Sequence, residues 1–208
     1  MAKYVRQFDY GNFRSMDCFF SNGKKPHNYV VRFACAVGNG LRWGFRAAKS
    51  KDYADHAGFS CEFGGQFFPV EQTPKGMRQT SFEEYRTKSP KIIDMYRWNG
   101  WNNKHIRALG VQDMALKIRK NHEVKYDWWG AFTSSWLGKK IFRHQKQDPN
   151  KTFCSEDVID TILKFWHEAY GVDCPLMLPK TKNPQAVREW MHANPEYFSQ
   201  IVKYEVPA

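Results

Sequence analysis

Three residues in this chain have types and spacing suited to nucleophilic catalysis: Cys154, His56 and Glu71. A cysteine attacks as its thiolate, so its environment must favour the anion over a thiol whose free pKa is about 8.5. The N-terminus of a helix does this through unpaired N–H groups and the macrodipole. Cys154 opens the clearest helical pattern in the sequence. Val158, Ile159, Ile162, Leu163, Trp166 and Ala169 recur at helical spacing, and Gly171 stands just beyond as a C-cap. The backbone N–H groups of Cys154 and Ser155 are then placed to form part of an oxyanion hole. The other reading of Cys154 is a small buried apolar residue. That reading suits Cys18, Cys35 and Cys61 better, because they lie in strand-like apolar runs.

A nucleophile needs a base, and the base needs an orienting group. Of the seven histidines, His56 is singled out by a hairpin. Ala57, Phe59, Cys61 and Phe63 alternate on one face, Gly64-Gly65 forms a two-residue turn, and Gln66 to Gln72 is the return strand. Counting back from Phe63 opposite Gln66 sets Gly58 opposite Glu71 and His56 opposite Thr73. His56 and Glu71 then share a face as diagonal neighbours, about 7 Å apart at the backbone. A carboxylate there can hold the imidazole tautomer. Glu62 shares the face but lies roughly 20 Å along the strand. Pro69 is the weak point, since a one-residue slip would turn Glu71 away and offer Gln72 instead. Without Cys154, the same hairpin would read as a solvent-facing surface element.

The elements that must position these residues are short. Asp17 to Phe20 and Tyr29 to Val37 read as strands with Ser21-Asn22-Gly23 as a turn between them, and Ile92 to Trp98 reads as another strand. Ser81-Phe82-Glu83-Glu84 has capping-box spacing. Lys104 to Asn121 reads as a helix with Ile106, Leu109, Ala115, Leu116 and Ile118 apolar and Gly110 as a weak position. Asn183-Pro184 and Asn194-Pro195 each read as an N-cap followed by proline at the first helical position. Leu41 to Lys51 is ambiguous. The expected class is α+β, an antiparallel sheet packed against helices, as a single domain over 1–208.

Phe153-Cys154-Ser155-Glu156 opening an apolar helix resembles the Tyr/Phe-Cys-Ser-Glu motif of the YiiX-like amidases, a permuted papain-fold family related to the NlpC-type peptidases. Asp55-His56-Ala57-Gly58 resembles that family's Ser-His-Xaa-Gly strand. Val70-Glu71-Gln72-Thr73 is similar to the next strand, whose Glu completes the triad. Met95-Tyr96-Arg97 and Lys125-Tyr126-Asp127 with Gly130 resemble two further family segments. The likeness runs from about residue 15 to 190, carried by short blocks only. Asp55 departs from the family's usual Ser, and Met16-Asp17-Cys18 from a Gly-Asp-Ile pattern, which leaves the substrate class open. The resemblance implies a permuted papain-like fold and hydrolysis of an amide bond in a peptide, cell-wall or lipid substrate, or less often of an ester or thioester, with Cys154 as nucleophile, His56 as base and Glu71 as orienting group. Tyr126 is implied to line the site, against the commoner role of a core aromatic. No cofactor and no metal are implied, and the scattered histidines lack ligand spacing.

An acyltransferase of the lecithin:retinol type, with the same His-then-Cys order, is the closest rival. The net charge of +11 and the 16% aromatic content support a second rival, a nucleic-acid-binding protein. Trp98-Asn99-Gly100-Trp101-Asn102-Asn103-Lys104 would then supply stacking rings and a cation. The charge is scattered and also fits a solvated surface, or attraction to an anionic polymer or lipid. A silent papain-like scaffold is the third alternative. Met1 to Arg14 carry Lys3, Arg6, Asp9 and Arg14 without an apolar stretch, so no secretory signal is expected. The odd count of five cysteines argues against a disulfide framework. The expectation is a reduced, cytoplasmic protein without a membrane span, its later release or packaging left open.

Overall fold

The Gly64-Gly65 turn fixes the centre of the molecule. Both glycines have positive φ, 60° and 79°, as a two-residue primed hairpin turn requires. In the computed structural model, which describes residues 12–22, 45–46, 49, 53–73, 75–82, 91–120, 125–126, 151–179 and 181–203, this turn joins β2 (His56–Phe63) to β3 (Gln66–Thr73). The register is the one that the turn dictates: Phe63 faces Gln66, Glu62 faces Phe67 and Ser60 faces Pro69. Pro69 causes no slip. It has no N–H to offer, and its carbonyl accepts from the Thr80 N–H at 3.0 Å.

Four further strands complete an antiparallel six-stranded sheet in the order β4-β3-β2-β1-β5-β8. They are β1 (Asp17–Asn22), β4 (Gly76–Gln79), β5 (Lys91–Trp98) and β8 (Phe198–Lys203). The helices are α1 (Lys104–Arg119), α2 (Cys154–Tyr170) and α3 (Pro184–His192). The chain is α+β, as its patterns imply. A short parallel pair, β6 (Lys125–Tyr126) and β7 (Lys151–Thr152), immediately precedes α2.

The alternation of β2 decides where the core sits. Ala57, Phe59 and Cys61 are buried with Cys18 and Phe20 of β1, Val70 of β3 and Val158, Ile159 and Ile162 of α2. The opposite face buries Phe19, Ile92 and Met95 with Phe13 and Phe82. β1 and β5 change register between Phe20 and Ser21, where Ile93 is the extra residue of a bulge. This is why Ile93 and Tyr96, three residues apart, share one core while Ile92 and Met95 share the other. At the far end of α2, Trp98 stacks on Trp166 at 5.4 Å and meets Trp101 edge-on at 4.7 Å between ring centroids.

Several expectations are corrected. Ser21 and Asn22 extend β1 and do not begin a turn. Asn194-Pro195 does not open a helix, because the chain turns and Phe198 enters β8, paired with Trp98 of β5. Leu116 of α1 is 52% exposed and is not a core position. Gly110 is compatible with α1 because Met16 and Trp101 approach within 3.1 Å of where a Cβ would stand. Asn183 does cap α3, its side chain accepting from the Ala186 N–H, with Pro184 at the first turn. The strand expected at 29–37, with Cys35, and the helix expected from Ser81 through Glu84 fall outside the described residues or run out of them at Phe82.

Two glycines give contrasting predictions for stability. A Cβ on Gly58 would lie 2.6 Å from the Val70 carbonyl oxygen and 2.7 Å from the Phe19 ring. Gly58→Ala should cost about 1–3 kcal/mol in urea denaturation, as for an overpacked core. Gly171 caps α2 at φ 70° with open space around it. Gly171→Ala should cost about 1–2 kcal/mol from backbone strain alone. A Gly58 variant as stable as wild type would show that the hairpin face is looser than described.

Candidate active site

Three elements bring the three expected residues together. His56 is the first residue of β2, Glu71 lies near the end of β3, and Cys154 is the first residue of α2. Nε2 of His56 lies 2.5 Å from Oε2 of Glu71. The imidazole is also in hydrogen-bonding contact with the Cys154 thiol. Cys154 is close enough for its charge and a side-chain hydrogen bond to act on the same ring that Glu71 holds through Nε2. Glu71 is 1% exposed and Cys154 3% exposed. The His56 side chain keeps 19% of its surface open.

Glu71 has a second partner that the sequence did not suggest. Arg78 of β4 pairs with Glu71 in the ladder. Its Nε donates to Oε1 at 2.6 Å, and Nη2 approaches the same oxygen. Each carboxylate oxygen thus has its own cationic or titrating partner. Gln72, the alternative orienting group, takes no part in this contact. It faces Met77 across the ladder, is buried, and finds no hydrogen-bond partner for either amide atom among the described residues.

The charges respond to this geometry. Burial drives His56 towards the neutral form, but the charges of Cys154 and Glu71 and the hydrogen bonds to both outweigh it and hold its pKa well above 6.5. Burial raises Glu71, yet His56 and Arg78 together bring it below its ordinary 4.5. The charged ring and the ionised carboxylate are mutually supporting.

The N-terminus of α2 is fixed by contacts beyond the apolar core. Phe153 at the N-cap supplies no side-chain hydrogen bond. The Ser155 hydroxyl donates to the Lys182 carbonyl at 2.6 Å. Ser155 can therefore offer a reacting group its backbone N–H, while its hydroxyl anchors the helix. Asp157 accepts from Nζ of Lys117 at 2.7 Å, and Lys117 also donates to Thr161 at 2.9 Å, tying α1 to α2. Glu156 receives Lys182 at 3.2 Å. Tyr126 pairs through its main chain with Thr152, two residues before Cys154.

Met16-Asp17-Cys18 and Met95-Tyr96-Arg97 also meet. Arg97 clasps Asp17 with Nε on Oδ1 and Nη2 on Oδ2, each at 2.8 Å. This pair ties β1 to β5 and leaves both carboxylate oxygens occupied. The rings proposed for nucleic-acid stacking are not available. Trp98 and Trp101 are each 0% exposed and belong to the core. Among the described residues, no group of three or more His, Cys, Asp or Glu could hold a metal ion. Glu71, with its oxygens shared between Arg78 and His56, offers no open ligand set. No described helix is long and apolar enough to cross a membrane.

No family model and no curated protein matches the chain. A solved structure with a similar course is that of the metalloprotein YiiX from Escherichia coli O157:H7. The match has 14% identity, covers 93% of this chain and 98% of that one, and has a TM-score of 0.49.

The arrangement predicts a defined titration. In NMR spectra the His56 ring should stay protonated well above pH 6.5, and Cys154→Ala should lower its midpoint by removing the largest favourable charge. The folding linkage has a sign. The raised His56 pKa gives stability that is complete below 6.5 and lost as pH rises through the folded value. The lowered Glu71 pKa gives stability that is complete above 4.5 and lost as pH falls through the folded value. Urea denaturation of wild type against Glu71→Gln should therefore show the largest difference between pH 4.5 and 6.5. A difference that is flat from acid to alkaline pH would contradict the pairing.

Proposed function

We propose that the protein is a cysteine-dependent amidase on a permuted papain-like fold, with Cys154, His56 and Glu71 as its triad. The observation that carries this reading is an imidazole held through Nε2 on a buried carboxylate and acted on by a cysteine at a helix N-terminus. Structural histidines need no such sulfur partner, and structural cysteines need no base. The resemblance of the Phe-Cys-Ser-Glu and His-Xaa-Gly segments to YiiX-like amidases supports the same reading.

With the His56 ring held charged, Cys154 and His56 rest as a thiolate–imidazolium pair, the thiol proton already on the imidazole. The sulfur attacks the amide carbon, a C–S bond forms, and the carbonyl π pair moves to oxygen. The α2 N-terminus, through the backbone N–H of Cys154 and Ser155, stabilises that oxyanion. Collapse re-forms the carbonyl and breaks the C–N bond, and the leaving nitrogen takes the imidazolium proton. Water then attacks the thioester while His56 accepts its proton. The C–S bond breaks, and the released acid and the regenerated pair close the cycle. Glu71 keeps Nε2–H directed and stabilises the imidazolium throughout.

The test needs no substrate. Iodoacetamide labelling from pH 5 to 9.5, mapped by mass spectrometry, should single out Cys154 at the acid end. Cys61 is fully buried with its thiol pushed up to about 12, and burial also raises Cys18 and Cys174. His56→Ala should reduce labelling at pH 6 by about 100-fold or more, within the range of general-base effects. Glu71→Gln should reduce it by a smaller factor. If Cys154 reacts no faster than Cys174 at acid pH, or ignores His56, the amidase reading fails. With a positive result, screening of amides with water or an added amine as acceptor separates hydrolysis from acyl transfer.

A further inference from the structure

We propose that Arg78 is a positioning residue of this site, holding Oε1 of Glu71 so that Oε2 is presented to His56. The proposal rests on the triad reading and adds a fourth member to it. The ladder places Arg78 directly opposite Glu71. Nε and Nη2 of Arg78 converge on Oε1, and neither reaches the oxygen used by His56.

This division of oxygens has a physical consequence. The terminal torsion of a glutamate is broad and roughly two-fold, so a carboxylate held at one oxygen alone can rotate. Two donors on Oε1 remove that freedom. They also compensate a carboxylate that is 1% exposed and would otherwise gain from protonating. A protonated Glu71 would donate a hydrogen bond where His56 requires an acceptor. Arg78 itself is 49% exposed, so as a simple surface ion pair it would contribute little. Its importance lies in what the carboxylate does next. The charged groups that act on His56 and Glu71 are Cys154 from α2, each other across β2 and β3, and Arg78 from β4.

The experiment is the pH profile of Cys154 alkylation in wild type, Arg78→Ala, Arg78→Lys, Glu71→Gln and the Arg78→Ala/Glu71→Gln double variant, with thermal midpoints as a fold control. Arg78→Ala should slow labelling at pH 5.5 by about tenfold and move the acid limb up by about one pH unit, with rates at pH 9.5 within about twofold of wild type. Arg78→Lys, which keeps the charge but not the fork, should recover part of the loss. The double variant should match Glu71→Gln, because Arg78 acts only through that carboxylate. If Arg78→Ala unfolds, Arg78→Gln carries the same comparison.

Profiles that superimpose for wild type and Arg78→Ala, while His56→Ala still abolishes low-pH labelling, would overturn the positioning role and leave the triad intact. Additive losses in the double variant would also overturn it. Failure of wild-type Cys154 to label at acid pH would remove the triad reading and this proposal with it.

Discussion

The β2–β3 register is the constraint from which the rest of the site follows. A strand has a side-chain period of two, so sliding β3 by one residue would turn Glu71 to the helix-bearing face and Gln72 towards His56. Gly64 and Gly65 prevent this by adopting the positive φ of a primed turn, and the apolar residues reinforce them. Ala57, Phe59, Cys61 and Val70 already fill one core and Phe67 packs on the other, so a slipped strand would expose apolar surface and bury the wrong side chains. Pro69, the position most able to disturb pairing, is accommodated because its carbonyl is still used by Thr80.

Cys154 reaches this hairpin from a separate element, and its placement is an independent problem. α2 crosses the sheet on Val158, Ile159 and Ile162, while Trp166 joins the aromatic cluster at its far end. Apolar contact alone would leave the helix free to slide along its axis. Directional contacts remove that freedom: Ser155 to the Lys182 carbonyl, Asp157 and Thr161 to Lys117. They lie within the first two turns, next to Cys154. Their effect on the site is positional, because a thiol displaced by about 1 Å loses much of the benefit of a bound geometry.

What could be read in the sequence divides along the range of the interactions. The hairpin depends on residues within a few positions of one another, so counting from Gly64-Gly65 located Glu71 opposite Gly58 and within reach of His56. The helix at Cys154 was legible from its apolar period and its Gly171 cap. Arg78 was not legible. Its pairing with Glu71 is set by the turn between β3 and β4, and no pattern of side chains marks that strand. The aromatic segment at Trp98 stays open between core and stacking surface in the sequence, because composition does not distinguish the two; only packing against Trp166 and Phe165 makes the difference. Asn194-Pro195 carries a local helix-start signal, but pairing of Phe198 with Trp98 prevails. Tertiary contact outweighs local preference in both cases.

Buried acids show what sets Glu71 apart. Asp17 has both oxygens held by Arg97, and Asp94 is held by Arg188 on one oxygen and Gln200 on the other. The partners in these pairs, guanidinium and amide groups, do not change charge between pH 4 and 9. Glu71 shares the same burial and the same kind of guanidinium partner, but gives its second oxygen to an imidazole. The permanent cation keeps the carboxylate ionised, and the ionised carboxylate then acts on a ring whose charge does change. A fixed charge placed behind a titrating one couples the scaffold to a proton transfer. The clamp on Asp17 has no titrating partner and can only hold β1 to β5.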